Sequence, residues 1–325
     1  QREIEQMQRM KTVWYLFITA WFTQQAMAAE IGPPVRDYPF EQVAENTWVI
    51  HGPLEMPNAG NQGFMNNPGI VLTTAGVVLV DPGSSLQAGE MVLRALRRVS
   101  DQPVVAVFNT HIHGDHWLGN QAVRAAFPDA VIYGHPEMLT EVEAGAGESW
   151  VKLMENLTEG ATRGTSVVGP DKALDNGDTI RIGGKTFLIH HHGQAHTRTD
   201  IMIEVREDGV VFLGDNVTAR RIPRMSDGNF RGNIKNVDMI LQTGASVWVP
   251  GHGPSGDVSI VRAYRDYLDA VYKAAEQAFN ADLDSSDVKP LALQATREYS
   301  DWAGYEGEIG RQGAQAFLEV EAAEF

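Results

Sequence analysis

A short histidine-rich segment holds the residues best suited to chemistry. His111, His113, Asp115 and His116 lie within six positions, although the whole chain contains only ten histidines. Side chains two positions apart in an extended chain point to one face, so His111 and His113 can present both imidazoles to one metal ion. Gly114 eases a turn after them, which lets Asp115 and His116 reach the same pocket from another side.

Neutral imidazole and carboxylate together suit zinc, and also iron or manganese. The chain has no cysteine, so neither a thiolate ligand nor a disulfide can form. The segment therefore predicts a site for a divalent metal ion with nitrogen and oxygen ligands alone.

The elements before this segment place it just beyond the end of a strand. Val104–Phe108 is a short apolar run that leads directly into Asn109, which is typical of a buried strand. Val77–Val80 predicts another buried strand, and the turn sequence that ends it begins at Asp81.

The second half of the chain is rich in predicted strands. Two pairs of apolar runs flank the dipeptides Gly183-Gly184 and Asp208-Gly209, which are hairpin signals. The runs are Asp178–Ile182 with Lys185–His190, and Ile201–Val205 with Val210–Leu213. Helices are predicted over Leu86–Val99, Glu137–Leu157, Asn233–Thr243 and most of the chain from Val258 onward.

The pattern HxHxDH after an apolar strand resembles the signature of the metallo-β-lactamase superfamily. Three later segments are similar to the remaining motifs of that family: GQAHT with His196, FLGDN with Asp215, and VPGHGP with His252. The resemblance covers roughly residues 46–254. It implies an α/β fold, a four-layer αββα sandwich, followed here by a helical C-terminal extension.

Carried over residue by residue, the resemblance implies two zinc ions, with iron or manganese as alternative metals. The first ion would be held by His111, His113 and His196, the second by Asp115, His116 and His252, and Asp215 would bridge them. Such a pair activates water as hydroxide at neutral pH. Asp115 would be catalytic as well, by orienting this nucleophile.

The implied function is hydrolysis of an ester, lactone, thioester or amide. Asp215 stands where several class B β-lactamases carry cysteine, which resembles the branch of glyoxalase II-like thioesterases and lactonases and leaves β-lactams as an open substrate. Two other hypotheses remain. One is a mononuclear iron enzyme that resembles persulfide dioxygenases, and the other is a non-catalytic, metal-holding accessory protein of periplasmic metabolism.

Substrate contacts are expected from two regions. The loop over residues 52–68 carries apolar side chains, among them Phe64, that can clamp an apolar group. Polar side chains that follow Asp215 are candidates for binding a substrate carboxylate or sulfate: Arg220, Arg221, Arg224 and Asn233.

The net charge of the chain argues against two classes of binding partner, nucleic acids and anionic membranes. The net charge is −16, whereas nucleic acids and anionic membranes attract proteins with a basic face. We therefore expect a small-molecule substrate and no nucleic acid.

The first residues are typical of a signal peptide. Lys11 precedes the apolar run Val13–Phe22, and Ala26-Met27-Ala28 fits the small-x-small cleavage pattern. The run is too short for a stable membrane span. We expect a periplasmic or secreted protein in which residues 1–28 are upstream sequence and signal peptide, residues 29–257 form the metallo-β-lactamase-like domain, and residues 258–325 form helices packed on it.

Overall fold

Two β-sheets pack face to face in the computed structural model, which describes residues 31–324. The predicted signal peptide lies outside the described residues. Seven strands form the first sheet in sequence order: β1 (Glu41–Ala44), β2 (Thr47–Val49), β3 (Gly69–Thr73), β4 (Gly76–Val80), β5 (Val104–Phe108), β6 (Val131–Gly134) and β7 (Lys172–Ala173). Neighbours are antiparallel from β1 to β4 and parallel from β4 to β7.

The second sheet has five strands in the order β12-β11-β10-β9-β8. Their bounds are β8 (Thr179–Ile182), β9 (Lys185–His190), β10 (Met202–Val205), β11 (Val210–Phe212) and β12 (Val247–Val249). Only β11 and β12 are parallel in this sheet.

Helices cover the outer faces of both sheets. Between the strands of the first half lie α1 (Leu86–Leu96), α2 (Gly114–Trp117), α3 (Asn120–Ala126), α4 (Pro136–Glu143) and α5 (Ala146–Leu157). Beside the second sheet lie α6 (Phe230–Ile240), α7 (Val258–Asn280), α8 (Val288–Ala295) and α9 (Tyr305–Ala323). Among residues 31–324, no helix has the length and apolar character needed to cross a bilayer.

The alternation of side chains in β4 shows how the layers are built. Val78 packs inward with side chains of the second sheet such as Phe187, while Leu79 packs outward against α1 residues such as Met91. Both faces of the strand are thus covered, which explains why β4 is apolar throughout. On the far side, Trp248 of β12 packs against α6 and α7. The four layers are helix, sheet, sheet and helix, and the predicted αββα sandwich is confirmed.

The element predictions hold best where glycine or an apolar run marks a boundary. The Gly183-Gly184 hairpin is present, and both glycines have positive φ, as its tight turn requires. The single helix predicted over Glu137–Leu157 is wrong, because Gly145 at φ +96° separates α4 from α5. The predicted division at residue 258 stays a prediction, since α7 shares one hydrophobic cluster with the second sheet.

Candidate metal centre

The candidate site lies where parallel strands of both sheets end. Asp81 follows β4 and His111 comes shortly after β5, its parallel neighbour. Asp215 follows β11 and His252 follows β12, again a parallel pair. Carboxyl ends of parallel strands meet at one edge of a sheet, so the two sheets bring these side chains to a common edge.

The segment between β9 and β10 contributes His196. Asp200 holds this segment in place by accepting hydrogen bonds from the backbone N–H of Thr197 at 2.7 Å and from its hydroxyl at 2.8 Å. Burial raises the pKa of Asp200 to about 6, although the hydrogen bonds from Thr197 act to lower it. The residue next to His196 is thereby fixed on both its backbone and its side chain.

One group of ligand atoms joins His111, His113, His196 and Asp215, with all atoms within 4.8 Å of one another. Nε2 of His196 lies 3.0 Å from Nδ1 of His113 and 3.5 Å from Oδ2 of Asp215. Nε2 of His111 is buried and has no hydrogen-bond partner within residues 31–324. A buried imidazole nitrogen without a partner is costly unless a cation takes its lone pair.

A second group joins Asp115, His116 and His252. Nε2 of His116 lies 3.3 Å from Nε2 of His252, and Oδ2 of Asp115 lies 3.5 Å and 3.2 Å from these two nitrogens. The carboxylate of Asp215 also reaches this group, since its two oxygens lie 3.3 Å from His116 and from His252. Asp215 is therefore the residue that both groups share.

These spacings fit metal coordination. Zinc–nitrogen bonds of about 2.0–2.1 Å place neighbouring ligand atoms about 3.3 Å apart in a tetrahedron. The seven distances given above between nitrogen and oxygen atoms of these groups lie between 3.0 and 3.5 Å. The residues present thus fit two divalent cations, and the side chains that the sequence analysis assigned to them converge in one pocket.

The electrostatics of the site also favour bound cations. Burial lowers the pKa of His116, but the carboxylates of Asp115, Asp215 and Asp81 outweigh it and raise the pKa well above its usual value. Burial acts to raise the pKa of Asp215, but His252 and His116 hold it well below the ordinary range. Positive charge is therefore strongly favoured between these carboxylates, and bound metal ions supply it without protonating the imidazoles.

The first group differs because fewer carboxylates surround it. Burial lowers the pKa of His111 well below its usual value and lowers that of His196 to about 3. Both rings are therefore neutral at physiological pH. Neutral imidazole is the form that coordinates a metal ion.

Outer hydrogen bonds orient the imidazoles. Nδ1 of His116 lies 2.8 Å from Oδ2 of Asp81, and Nδ1 of His252 lies 2.9 Å from the carbonyl oxygen of Met65. Each Nδ1–H therefore donates to an oxygen, which leaves the lone pair on Nε2 directed at the centre. At the first group, Nε2 of His113 lies 3.0 Å from Oδ2 of Asp227, so its Nδ1 is the coordinating atom.

Asp81, which accepts the hydrogen bond from His116, has a strained backbone conformation. Its φ is +51°, which is uncommon for a residue other than glycine. Besides His116, it accepts hydrogen bonds from the backbone N–H of Thr110 at 2.8 Å and from its hydroxyl at 2.7 Å. Such strain persists where surrounding contacts over-determine a functional residue.

Asp81→Asn should lower zinc affinity about 10–100-fold, because an amide N–H facing Nδ1 of His116 would favour the wrong tautomer. Asp227→Asn is the matched variant at the first group, and its effect should be smaller since the Asp227 side chain is 61% exposed and the Asp81 side chain 4%. Competition with a chromophoric zinc chelator measures both. A loss for Asp227→Asn that equals or exceeds the loss for Asp81→Asn would refute this ranking.

Two glycines make room for the ligands. A Cβ on Gly251 would lie 2.0 Å from Oδ1 of Asp215, so only glycine lets this carboxylate reach the centre. A Cβ on Gly114 would lie 2.8 Å from Cβ of Trp150, and its φ is not positive. Gly114 therefore permits close packing of α2 on α5, which corrects the expectation that it eases a turn.

A cavity of about 330 Å³ opens onto both groups of ligands. Arg221 lines it and is 4% exposed, and Arg224 lines its edge. Asp227 and Trp150 also line it, and the sequence analysis missed both. The apolar spacing of Trp150, Leu153 and Leu157 on one helix face was the available signal for part of this wall.

Three predicted substrate contacts lie elsewhere. Phe64 is fully buried in the core, with its ring centroid 4.8 Å from that of Tyr38. Arg220 is paired with Asp301 at 2.6 Å and lines a different depression. Asn233 is fully buried on α6 and does not line the cavity. These expectations are corrected, because sequence position after Asp215 or within a loop does not determine the direction of a side chain.

A third group of potential ligands joins His135, Asp175 and His191. Nδ1 of His135 accepts the backbone N–H of Glu137 at 3.3 Å and so caps α4. The ring proton of His135 is therefore on Nε2, the atom that faces Asp175 at 3.7 Å. Since the potential ligand atom carries a proton, this group fits a structural role.

The sequence model of the metallo-β-lactamase superfamily matches residues 62–252, more than half of the chain. The chain belongs to the metallo-β-lactamase superfamily. This assignment covers all seven ligands of the two groups. The αββα sandwich agrees with membership of this superfamily, and the pocket of potential metal ligands at the strand ends lies within the matched residues.

Curated relatives within the superfamily are similar over part of their length. A hydroxyacylglutathione hydrolase from Crocosphaera subtropica is 30% identical over 155 residues, which cover 46% of this chain and 48% of the relative. A linear primary-alkylsulfatase from Pseudomonas sp. is 28% identical over 102 residues, 31% of this chain and 16% of that one. The chain spans about half the length of the hydroxyacylglutathione hydrolases that it matches.

Solved structures share the fold. A metallo-β-lactamase from Pontibacter korlensis superposes with a TM-score of 0.58 at 20% identity and covers 72% of this chain and 99% of its own. The inverting sec-alkylsulfatase Pisa1 from Pseudomonas sp. superposes with a TM-score of 0.69 at 12% identity and covers 86% of this chain and 50% of its own.

Proposed function

We propose that the protein is a dinuclear zinc hydrolase that cleaves an ester, thioester, lactone or amide, β-lactams included. The observation that carries this proposal is the convergence of two groups of nitrogen and oxygen ligands on one shared carboxylate, that of Asp215. Two zinc ions held there by these residues would lower the pKa of bound water and would polarise the scissile carbonyl.

Asp115 takes the role of orienting the nucleophile. Its Oδ2 lies against both His116 and His252, so this oxygen belongs to the ligand group. The residue also lines the cavity and is 7% exposed. Its other oxygen can therefore accept a hydrogen bond from the attacking water and hold the proton that is released.

The relatives support ester-type substrates in particular. A hydroxyacylglutathione hydrolase and alkylsulfatases are among the similar proteins, and their names describe the cleavage of thioesters and sulfate esters. A panel of nitrocefin, a lactone, a glutathione thioester and an aryl sulfate, assayed together with metal quantification, tests the proposal. Turnover with two zinc ions per chain is expected. Two bound metal ions without turnover on any of these compounds would favour the accessory protein instead.

The iron oxygenase is the alternative that metal analysis decides. A mononuclear enzyme needs one group of ligands, whereas Asp115, His116 and His252 form a complete second group here. One iron ion per purified chain, with none at the second group, would overturn the zinc hydrolase.

We further propose that the protein is exported from the cytoplasm. The predicted signal peptide at residues 1–28 supports a periplasmic or secreted enzyme. N-terminal sequencing of the protein from a cell envelope fraction should give a chain that begins near residue 29.

Arg221 is proposed to bind an anionic group of the substrate. Its neighbours within hydrogen-bonding distance among residues 31–324 are Nδ1 of His252 at 3.1 Å and Sδ of Met56 at 3.0 Å. Nδ1 of His252 donates to the carbonyl of Met65, so it cannot also accept from Arg221. The charges of Asp215 and Asp115 act on this guanidinium, but within residues 31–324 its only hydrogen-bond acceptor is a thioether. A substrate carboxylate or sulfate would supply the missing acceptor.

Arg221→Met should raise KM for anionic substrates about 10–100-fold and leave KM for neutral esters nearly unchanged, because the charge-assisted hydrogen bonds are lost. Arg220→Met is the control, since that guanidinium is exposed and paired with Asp301. Steady-state kinetics on matched acidic and neutral esters measure the difference. Equal changes in KM for both esters would reject Arg221 as the anion-binding residue.

A further inference from the structure

The metal-centre cavity has an apolar wall that is exposed to solvent. Eight large apolar side chains are exposed among residues 31–324, and three of them, Met56, Leu153 and Leu157, line this one cavity. Their exposed fractions are 44%, 43% and 42%. Exposed apolar side chains that cluster around one pocket usually mark a binding surface.

The wall is built by α5. Trp150, Leu153, Met154 and Leu157 have the spacing i, i+3, i+4 and i+7, which places them on one helix face. Met154 is buried in the small cluster beneath the helix, and the Trp150 ring lies 5.0 Å from the His113 ring. Leu153 and Leu157 extend the same face past this cluster and into the cavity.

The loop before β3 provides the opposite side. Met56, Pro57 and Met65 of this loop line the cavity, as does Pro223. Asn61 and Asn58 hold the loop in shape, since Nδ2 of each donates to the carbonyl of Met56 at about 3 Å. The backbone at Met56 is therefore held in place by hydrogen bonds within the loop.

Charged groups occupy the remainder of the same cavity. Asp115 and Asp215 line it together with three other proposed ligands, His113, His196 and His252, and Arg221 lines it as well. One cavity thus combines a site for a reacting polar group, a cationic contact and an apolar wall. This combination is complementary to an amphiphile.

We propose that the substrate carries a linear hydrocarbon chain, which lies along Met56, Leu153 and Leu157 while its anionic ester group reaches Arg221 and the metal centre. The proposal rests on the hydrolase proposed above, because it assumes that the bond to be cleaved lies at the metal centre. Its class is a hydrocarbon-tailed ester with a negative charge close to the scissile bond.

The first test is a chain-length series with the zinc-loaded enzyme. For 4-nitrophenyl esters from acetate to decanoate, kcat/KM should rise about twofold for each added methylene. This rise corresponds to half the free energy of complete burial of a methylene, because the wall covers only one side of the chain. For the sodium alkanesulfonates from butane to decane, which cannot be hydrolysed, affinity measured by calorimetry should rise with the same slope.

Leu153→Ser/Leu157→Ser should flatten both series, with the largest loss of kcat/KM and of affinity at the longest chains. Leu293→Ser/Leu318→Ser is the matched control, since these leucines lie on the helices α8 and α9 with exposed fractions of 37% and 59%. The control should keep the wild-type slope. Circular dichroism on both variants confirms that the helices are intact.

The outcomes separate the two proposals. No hydrolysis of any ester in the series or of any compound in the substrate panel above, together with sulfonate affinity that rises with chain length, would refute the hydrolase and support the apolar binding wall. Hydrolysis of all esters with a flat chain-length series would refute the wall and leave the hydrolase standing. Equal loss of slope in the control variant would also refute the assignment to Leu153 and Leu157.

Discussion

Asp115→Ala is expected to lower kcat/KM by at least about 10³-fold on every substrate. The variant loses a ligand atom 3.2 Å from Nε2 of His252 and the carboxylate that orients the nucleophile, and proton transfer of this kind contributes about 10²–10⁴-fold. Steady-state kinetics and elemental analysis on the same sample measure the effect. The zinc content should fall from two ions per chain toward one.

Two further variants test whether the loss in Asp115→Ala is specific to its ligand group. His196→Ala removes a ligand of the other group, so it should also abolish turnover but release the other ion. Asp129→Ala, at an exposed aspartate, should leave activity and zinc content unchanged. Normal activity in Asp115→Ala, or two zinc ions retained in both ligand variants, would contradict the assigned ligand groups.

Chelation is expected to have an effect as large. Removal of metal should lower activity by at least about 10³-fold, because water regains its ordinary pKa and no longer supplies hydroxide at neutral pH. Zinc should restore the activity, and magnesium should not, since the site offers three or four nitrogen and oxygen ligands per ion with imidazole prominent among them.

The same treatment should lower the thermal unfolding temperature. Asp115 and Asp215 are 7% and 5% exposed, so without metal ions their charges are buried against each other and balanced by protonated His116 and His252 and by the Arg221 guanidinium. Differential scanning calorimetry with and without chelator measures the shift. Activity and unfolding temperature that both survive exhaustive dialysis against chelator would argue for a metal-independent enzyme.

Sequence reasoning succeeded where chemistry is concentrated in short motifs. His111, His113, Asp115 and His116 are recognisable because four potential ligands within six residues are improbable unless they bind a metal. The buried strands next to them are recognisable as well, because a strand covered on both faces must be apolar throughout, as β4 is. Motif and strand together predicted both the superfamily and the edge of the fold where the site lies.

The sequence did not predict the role of residues whose function depends on the direction in which the side chain points. Arg220 and Arg221 are adjacent in the chain, yet one is paired with Asp301 on the surface and the other is buried beside His252. Arg220 has φ +59°, and this left-handed residue sends the two side chains to different sides. No local pattern predicts such a conformation for arginine.

By itself, the amino-acid sequence predicted which groups could bind metal: three short motifs and the HIHGDH segment supply the nitrogen and oxygen side chains of both groups, and the absence of cysteine from the sequence excludes thiolate. Only the tertiary structure decided which non-ligand groups share the cavity with them. Asp227 reaches His113 from more than one hundred positions away, and Met56 reaches Arg221 across a similar span. Such contacts depend on how the two sheets and their loops pack together, and packing selects neighbours by shape and burial, which a one-dimensional pattern does not record.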